Sequence, residues 1–130
     1  MLTINTNFNK KIYSDIVQIW EDTGVANSER GDTFSLIQKT LKHGGKIFTL
    51  CLKERIIGTA WVTHDFRRSF IHHVAIDPNY QNSGYGKTLI EHVLEYCSSL
   101  GYQIKLEVHH ENRQAQHIYK DFGFTELGHF

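Results

Sequence analysis

The sequence is short of several things, and each shortage narrows its reading. Two cysteines, Cys51 and Cys97, are all that 130 residues contain. They form no C-x-x-C pair, and both sit among apolar residues. Two reduced core thiols of a cytoplasmic protein are expected, a disulfide being the alternative. Charge of one sign is also missing. Lys plus Arg equals Asp plus Glu at 14 each. Broad electrostatic attraction to nucleic acid or to an anionic membrane therefore has no basis. No apolar run approaches a membrane span, and "MLTINTNFNKK" is too polar for a signal peptide. Repeats, low-complexity tracts and linkers are absent, so residues 1–130 read as one domain.

What is present suits a globular core: 40% hydrophobic residues, with 12% aromatic. Residues 2–6 read as a short strand. Residues 11–22 place Ile12, Ile16, Ile19 and Trp20 at helical spacing, and Gly24 stops that helix. After the polar loop "ANSERGDT", Asp32 or Thr33 opens a second helix, with Phe34, Ile37 and Leu41 on one face. It ends at Gly44-Gly45. Runs 46–53 and 55–64 form a hairpin, and "DFRRS" turns the chain into a strand over 70–77. Pro78, the one proline, ends that strand because it cannot donate to a ladder.

A helix over about 84–100 follows, burying Leu89, Ile90, Val93, Leu94, Cys97 and Leu100 and capped by Gly101. Residues 102–110 form a strand. Residues 112–122 form a helix with Ala115, Ile118, Tyr119 and Phe122 on one face, stopped by Gly123. "FTELGHF" offers a final strand. This order predicts an α/β fold whose sheet is antiparallel early and contains one crossover.

The stretch "YQNSGYGKT" (80–88) ends like a nucleotide-binding phosphate loop. That loop needs a glycine at 81, where the chain has Gln, and the dinucleotide fingerprint fails at Leu89. A strand end, a glycine loop and a helix start remain. Main-chain N–H groups there have no intrahelical partner, and the helix dipole adds positive charge. Such a terminus suits a phosphate or diphosphate. Gly84 and Gly86 permit close approach and Lys87 adds charge. On its own the loop fits a flexible helix entry equally well.

Two motifs in order break that tie. The loop Q-x-x-G-x-G after "VAIDP" resembles the acetyl-CoA loop of the GNAT superfamily of N-acetyltransferases. "LEVHHENRQAQHIYKDFGF" resembles that superfamily's second half, through Leu106-Glu107-Val108, Asn112, Ala115, Tyr119 and Gly123-Phe124. The resemblance implies a mixed, mostly antiparallel central sheet flanked by helices. It also implies transfer of an acetyl group from acetyl-CoA to an amine, without metal. Val74, Ala75 and Ile76 would lend main-chain groups to the pantetheine arm. The loop amides of Gln81, Asn82, Ser83, Gly84, Tyr85, Gly86 and Lys87 would hold the diphosphate, and Asn112 would contact the pantetheine.

An amine of lysine type has a pKa of about 10.4, so a base must take its proton before or during attack. Glu107 is the first candidate. It lies twelve residues before Tyr119, as in the branch resembling ribosomal-protein alanine acetyltransferases. A half-exposed strand residue or an ion-pair partner fits the same position. His72 is the second candidate. Strand alternation lets only one of His72 and His73 face the cleft. The same alternation argues against metal chelation by the pairs His72-His73 and His109-His110. Tyr119 matches the family's tyrosine acid, which would protonate the leaving thiolate. Helical spacing alone fits a core aromatic as well.

The acceptor would be a small-molecule amine or a protein amino group, walled by "GVANSERGDTF" and "THDFRRSF". Glu21, Asp22, Glu29 and Asp32 either attract a cationic amine or form an ordinary solvated surface. Family members usually carry two strands after Gly-Phe, and this chain has room for one before Phe130. The last strand is thus expected to be missing or to come from a partner, so a homodimer fits. Two rivals remain: a catalytically inactive acetyl-CoA sensor, and a nucleotide binder built on Gly86-Lys87-Thr88.

Overall fold

The computed structural model describes residues 1–25, 32–106, 108 and 113–125. In chain order these form β1 (Leu2–Asn5), α1 (Lys10–Thr23), α2 (Phe34–Lys42), β2 (Lys46–Leu52), β3 (Arg55–His64), β4 (Arg68–Ile76), α3 (Tyr85–Leu100), β5 (Gln103–Leu106) and α4 (Arg113–Asp121). A single 3-10 turn, Pro78–Tyr80, links β4 to the glycine loop. The strands lie in the order β1-β2-β3-β4-β5, antiparallel except for the parallel pair β4–β5. The sheet expected from the order of elements, antiparallel early with one crossover, is the one observed, as is the mixed, mostly antiparallel sheet that the resemblance implied; α3 is the crossover.

Local chemistry sets the boundaries. Asn9 opens α1, its side chain accepting from the Ile12 amide at 2.9 Å. Gly24 closes α1 at φ 76°, a left-handed conformation that costs glycine nothing. Of the two residues expected to open α2, Thr33 is the cap, accepting from the Leu36 amide. Asp77 closes β4. It is buried, it accepts from the Asn79 amide at 2.9 Å, and it pairs with Arg55 at 3.3 Å. The strand expected over 102–110 is Gln103–Leu106 within the described residues; Glu107 and 109–112 lie outside them. Phe124 and Thr125, which begin the expected final strand, are not in a strand, and 126–130 lie outside the described residues.

Helices cover both faces. On one, α3 contributes Leu89, Val93 and Cys97 against Phe48, Leu50, Ile57, Ala60, Val62 and Ile71 of the sheet. On the other, Ile16, Ile19 and Trp20 of α1 and Ile37 of α2 pack on Ile47, Trp61 and Ala75. Cys51 and Cys97 are free thiols, both buried. Burial pushes the Cys97 thiol up to about 11, so it stays a protonated core residue at neutral pH.

One irregularity shapes the rest. In the β3–β4 ladder Thr59 pairs with Ala75 and Trp61 with His72. Ala60 is thus opposed by two residues, His73 and Val74, which makes a β-bulge. His73 takes φ 50°, a conformation that an ordinary side chain adopts only under constraint. The constraint is a buried chain of hydrogen bonds. The Trp20 indole N–H donates to Thr59 Oγ1 at 2.8 Å, and the Thr59 hydroxyl donates to the His73 carbonyl at 2.9 Å. Thr59→Val keeps the shape and orphans both partners. It is expected to cost about 2–6 kcal/mol, since each of the two buried orphans costs about 1–3 kcal/mol. Urea unfolding measures this, and an unchanged midpoint would show that the chain carries no load.

Candidate active site

The site forms where β4 parts from β5. The two strands pair only from Arg68–Gln103 to Ile71–Leu106. From Val74 to Ile76, β4 has no β5 partner among the described residues, so one edge of its main chain stands open there. The Asp77 amide donates to the Ile57 carbonyl at 2.7 Å. Alternation then turns the main chain of Ala75 toward β3 and those of Val74 and Ile76 toward the open edge. Of the three residues expected to line the pantetheine, two therefore offer main-chain groups there. Ala75 instead packs its methyl against α1 and Trp61. The Ile76 carbonyl is already bound by the Gln81 side chain at 2.9 Å.

The glycine loop adjoins this edge. A Cβ on Gly86 would lie 3.7 Å from Ile76, so the first turn of α3 sits on the end of β4. Asn82 and Gly84 both have positive φ, 65° and 82°, which curls the loop back toward the helix. Gly84 is the N-cap and supplies no side-chain cap. The Thr88 amide is the first to close the ladder, donating to the Gly84 carbonyl at 3.1 Å. The amides of Tyr85, Gly86 and Lys87 precede that first bond, and no acidic side chain stands in the first turn. Ser83 and Lys87 are exposed. The result is a row of donors with uncompensated positive charge beside an open strand edge, which suits a diphosphate bearing an extended arm.

The bulge overturns one expectation. His72 and His73 do not face opposite ways. Both rings lie on Trp61, at centroid distances of 5.2 and 5.6 Å, on the face covered by α1 and α2. The extra residue resets the alternation, so Val74 and Ile76 join the α3 side with Ile71. His72 Nε2 lies 2.8 Å from Thr63 Oγ1. His73 Nε2 lies 2.8 Å from Asp32 Oδ2. Alternation therefore gives no argument against a shared metal at this pair. Among the described residues, however, no group of three or more His, Cys, Asp or Glu side chains is placed to hold one.

Tyr119 is 8% exposed on α4, its ring edge-on to Phe124 at 5.9 Å. Burial pushes its phenol up to about 12. Glu107 and Asn112 lie outside the described residues, as does Glu29. Asp22 accepts from Gln18 on α1, and Asp32 is engaged by His73. A cavity of about 260 Å³ lies between α2 and the end of β3, lined by Lys39, Thr40, His43, Thr63 and His64. Thr63 links it to His72.

Both the bulge and the Asp32–His73 pair escape a reading by strict alternation. A signal was present. Ile71, Val74 and Ile76 are apolar at spacings of three and then two, which a strand tolerates only with one residue inserted.

Comparison with known proteins agrees with this geometry. The model of the Acetyltransferase (GNAT) family matches residues 13–124, and the chain belongs to that family. It is 38% identical over 64 residues to spermidine N(1)-acetyltransferase of Vibrio cholerae, covering 48% of this chain and 37% of that protein. It is 27% identical over 108 residues to the [ribosomal protein bS18]-alanine N-acetyltransferase of Escherichia coli, covering 82% of this chain and 65% of that one. It thus spans less than two thirds of either relative. The crystal structure of the Escherichia coli S18-alanine enzyme superposes with a TM-score of 0.83 at 21% identity, over 98% of this chain and 80% of that one. A GNAT acetyltransferase from Elizabethkingia anophelis, solved with acetyl-CoA bound, gives 0.70 at 19%, over 95% and 76%. Likeness at such identities shows the fold. No helix among the described residues is long and apolar enough to cross a membrane.

The raised phenol has a consequence for stability. Tyr119 stays neutral in the folded chain up to about pH 12, whereas an unfolded tyrosine ionises near 10. Its contribution is present below about pH 10 and lost as pH rises toward 12. Two pKa units correspond to about 2–3 kcal/mol. Denaturant titrations between pH 9 and 12 should show Tyr119→Phe losing less stability than the parent across that window. Parallel losses would contradict a buried, protonated phenol.

Proposed function

We propose that the chain is an acetyl-CoA-dependent N-acetyltransferase that moves the acetyl group to a primary amine by direct attack. One observation carries the reading: the uncapped amides of Tyr85–Lys87 stand beside the open edge of β4 at Val74 and Ile76. A diphosphate on the first and a pantetheine arm along the second would lead a thioester toward the bulge. The family and its relatives support the same chemistry. The acceptors those relatives are named for, spermidine and a ribosomal-protein alanine, are both amines. The acceptor proposed here is accordingly a small-molecule amine or a protein amino group.

The reaction has two proton problems. The amine must lose a proton to become nucleophilic and then neutral. Glu107 and His72 are the bases the sequence offers. The leaving thiolate, with a pKa of about 8.5 if it resembles cysteine, must be stabilised. Tyr119 at about 12 is too weak an acid to transfer its proton fully. It serves as a hydrogen-bond donor to the departing sulfur, and solvent completes the protonation. Asn112 and the loop from Gln81 to Lys87 complete the proposed carrier site.

Thiol release from acetyl-CoA across a panel of polyamines, amino acids and N-terminal peptides tests the reading. Release with at least one amine is expected. Binding of acetyl-CoA without release by any would favour the inactive sensor. A thermal shift with Mg-ATP and none with acetyl-CoA would favour the nucleotide binder. Tyr119→Phe should lower kcat by about 100-fold while leaving the acetyl-CoA Kd within about threefold. Equal turnover would remove Tyr119 from the chemistry.

Lys87→Glu gives a sharper test, because stability and binding should move in opposite directions. An acidic residue in the first turn of a helix stabilises it by about 0.3–1 kcal/mol. The same carboxylate should weaken acetyl-CoA binding by 10-fold or more by repelling the diphosphate. Unchanged affinity by calorimetry would place the diphosphate elsewhere.

A further inference from the structure

The strongest feature that this reading leaves unused is the contact between Asp32 and His73. Oδ2 and Nε2 are 2.8 Å apart, and the two side chains are only 17% and 15% exposed. The residues are 41 positions apart and are brought together from several elements. The bulge swings the His73 ring edge-on to Trp20 at 4.8 Å. The Tyr13 hydroxyl donates to the Asp32 carbonyl at 2.8 Å, which fixes the chain just before α2. Thr59 holds the His73 carbonyl on the other side.

This arrangement defines a tautomer. In the neutral imidazole, a carboxylate that only accepts keeps the hydrogen on Nε2 and leaves the lone pair on Nδ1. Among the described residues Nδ1 has no hydrogen-bond partner. Nor is it sealed from solvent, since among the described residues the one buried side-chain polar atom lacking a partner is Ser69 Oγ. His73 directly precedes Val74, where the main chain first faces the open edge. Three residues at about 3.3 Å each separate it from Ile76 beside α3, a span of about 10 Å. A carrier arm running along that edge from the diphosphate approaches the bulge with its reactive end.

We propose that Asp32 and His73 are a proton-accepting pair for the acceptor amine, with Asp32 positioning the imidazole and His73 Nδ1 taking the proton. The inference rests on the transferase reading and deepens it. The free-base amine attacks the thioester carbon and the C–N bond forms. The nitrogen's proton passes to Nδ1, giving an imidazolium held by the Asp32 carboxylate. The C–S bond breaks, and the thiolate leaves with the bonding pair, hydrogen-bonded to Tyr119 and protonated from solvent. The imidazolium returns its proton to solvent, so one amine and one thioester give one amide and one thiol.

Among the described residues, the titratable groups facing His73 are few. The segment before α2 brings Asp32, α1 brings Tyr13, and β4 brings His72, its ring 6.3 Å away. β3 contributes Trp61 and Thr59, neither of which titrates.

The test is a pH–rate profile using the fastest amine of the thiol-release panel. His73→Gln should lower kcat by about 100-fold, abolish the acidic limb and leave the acetyl-CoA Kd unchanged. Asp32→Asn removes the carboxylate that holds the imidazole, so its acidic limb should be displaced from the parent's. If His73→Gln fails to fold, Asp32→Asn alone decides, provided its melting profile matches the parent. A limb that survives unmoved in both variants overturns the pair. So does a rise in acceptor KM with an unmoved limb, which marks a contact that only holds the loop. A limb lost in Glu107→Gln but kept in His73→Gln overturns it as well. A parent chain that binds acetyl-CoA yet releases no thiol with any amine fails the transferase reading itself and takes the pair with it.

Discussion

The hydrogen bond from Thr59 to the carbonyl of His73 holds an extra residue in β4, and the site inherits its geometry from that residue. A regular strand would send His72 and His73 to opposite faces and carry a single alternation from Ile71 to Ile76. The bulge puts both imidazoles on Trp61 and leaves Val74 and Ile76 packed on the α3 side. Trp20 secures the arrangement from α1 through the same hydroxyl. A threonine buried in the sheet is therefore a fastener between the α1 layer and an irregular strand.

Beyond the bulge, β4 has no neighbour on one side among the described residues. A sheet edge inside a fold carries unsatisfied main-chain groups that must be met by something. Gln81 meets one of them at Ile76, and the others face the gap. The start of α3 presents the complementary feature, donors without acceptors and no acidic side chain to offset them. Brought together by the packing of Gly86 on Ile76, the two form one continuous polar surface on an otherwise apolar scaffold. Family membership and this surface point to the same kind of ligand.

Much of this was legible in the sequence. Gly24, Thr33 and Pro78 punctuate the chain through simple backbone chemistry, and the apolar face of α3 follows its 3.6-residue period. The glycine loop was readable because a failed phosphate-loop pattern left a strand end meeting a helix start. What strict periodicity concealed was the bulge, because alternation assumes that no residue is inserted. The Asp32–His73 contact was hidden for a different reason. It joins residues that only the tertiary packing of α1 and α2 on the sheet makes neighbours. Tyr119 was singled out by motif, whereas its degree of burial came only from the fold.

The most direct measurement follows the main-chain amides of a nitrogen-15-labelled chain by NMR as acetyl-CoA is added. The amides of Val74, Ile76, Tyr85, Gly86 and Lys87 should shift together and gain protection from hydrogen exchange, with Ala75 protected before and after. Shifts confined to other parts of the sheet, with these five unmoved at saturation, would contradict a carrier site built from an open strand edge and an uncapped helix.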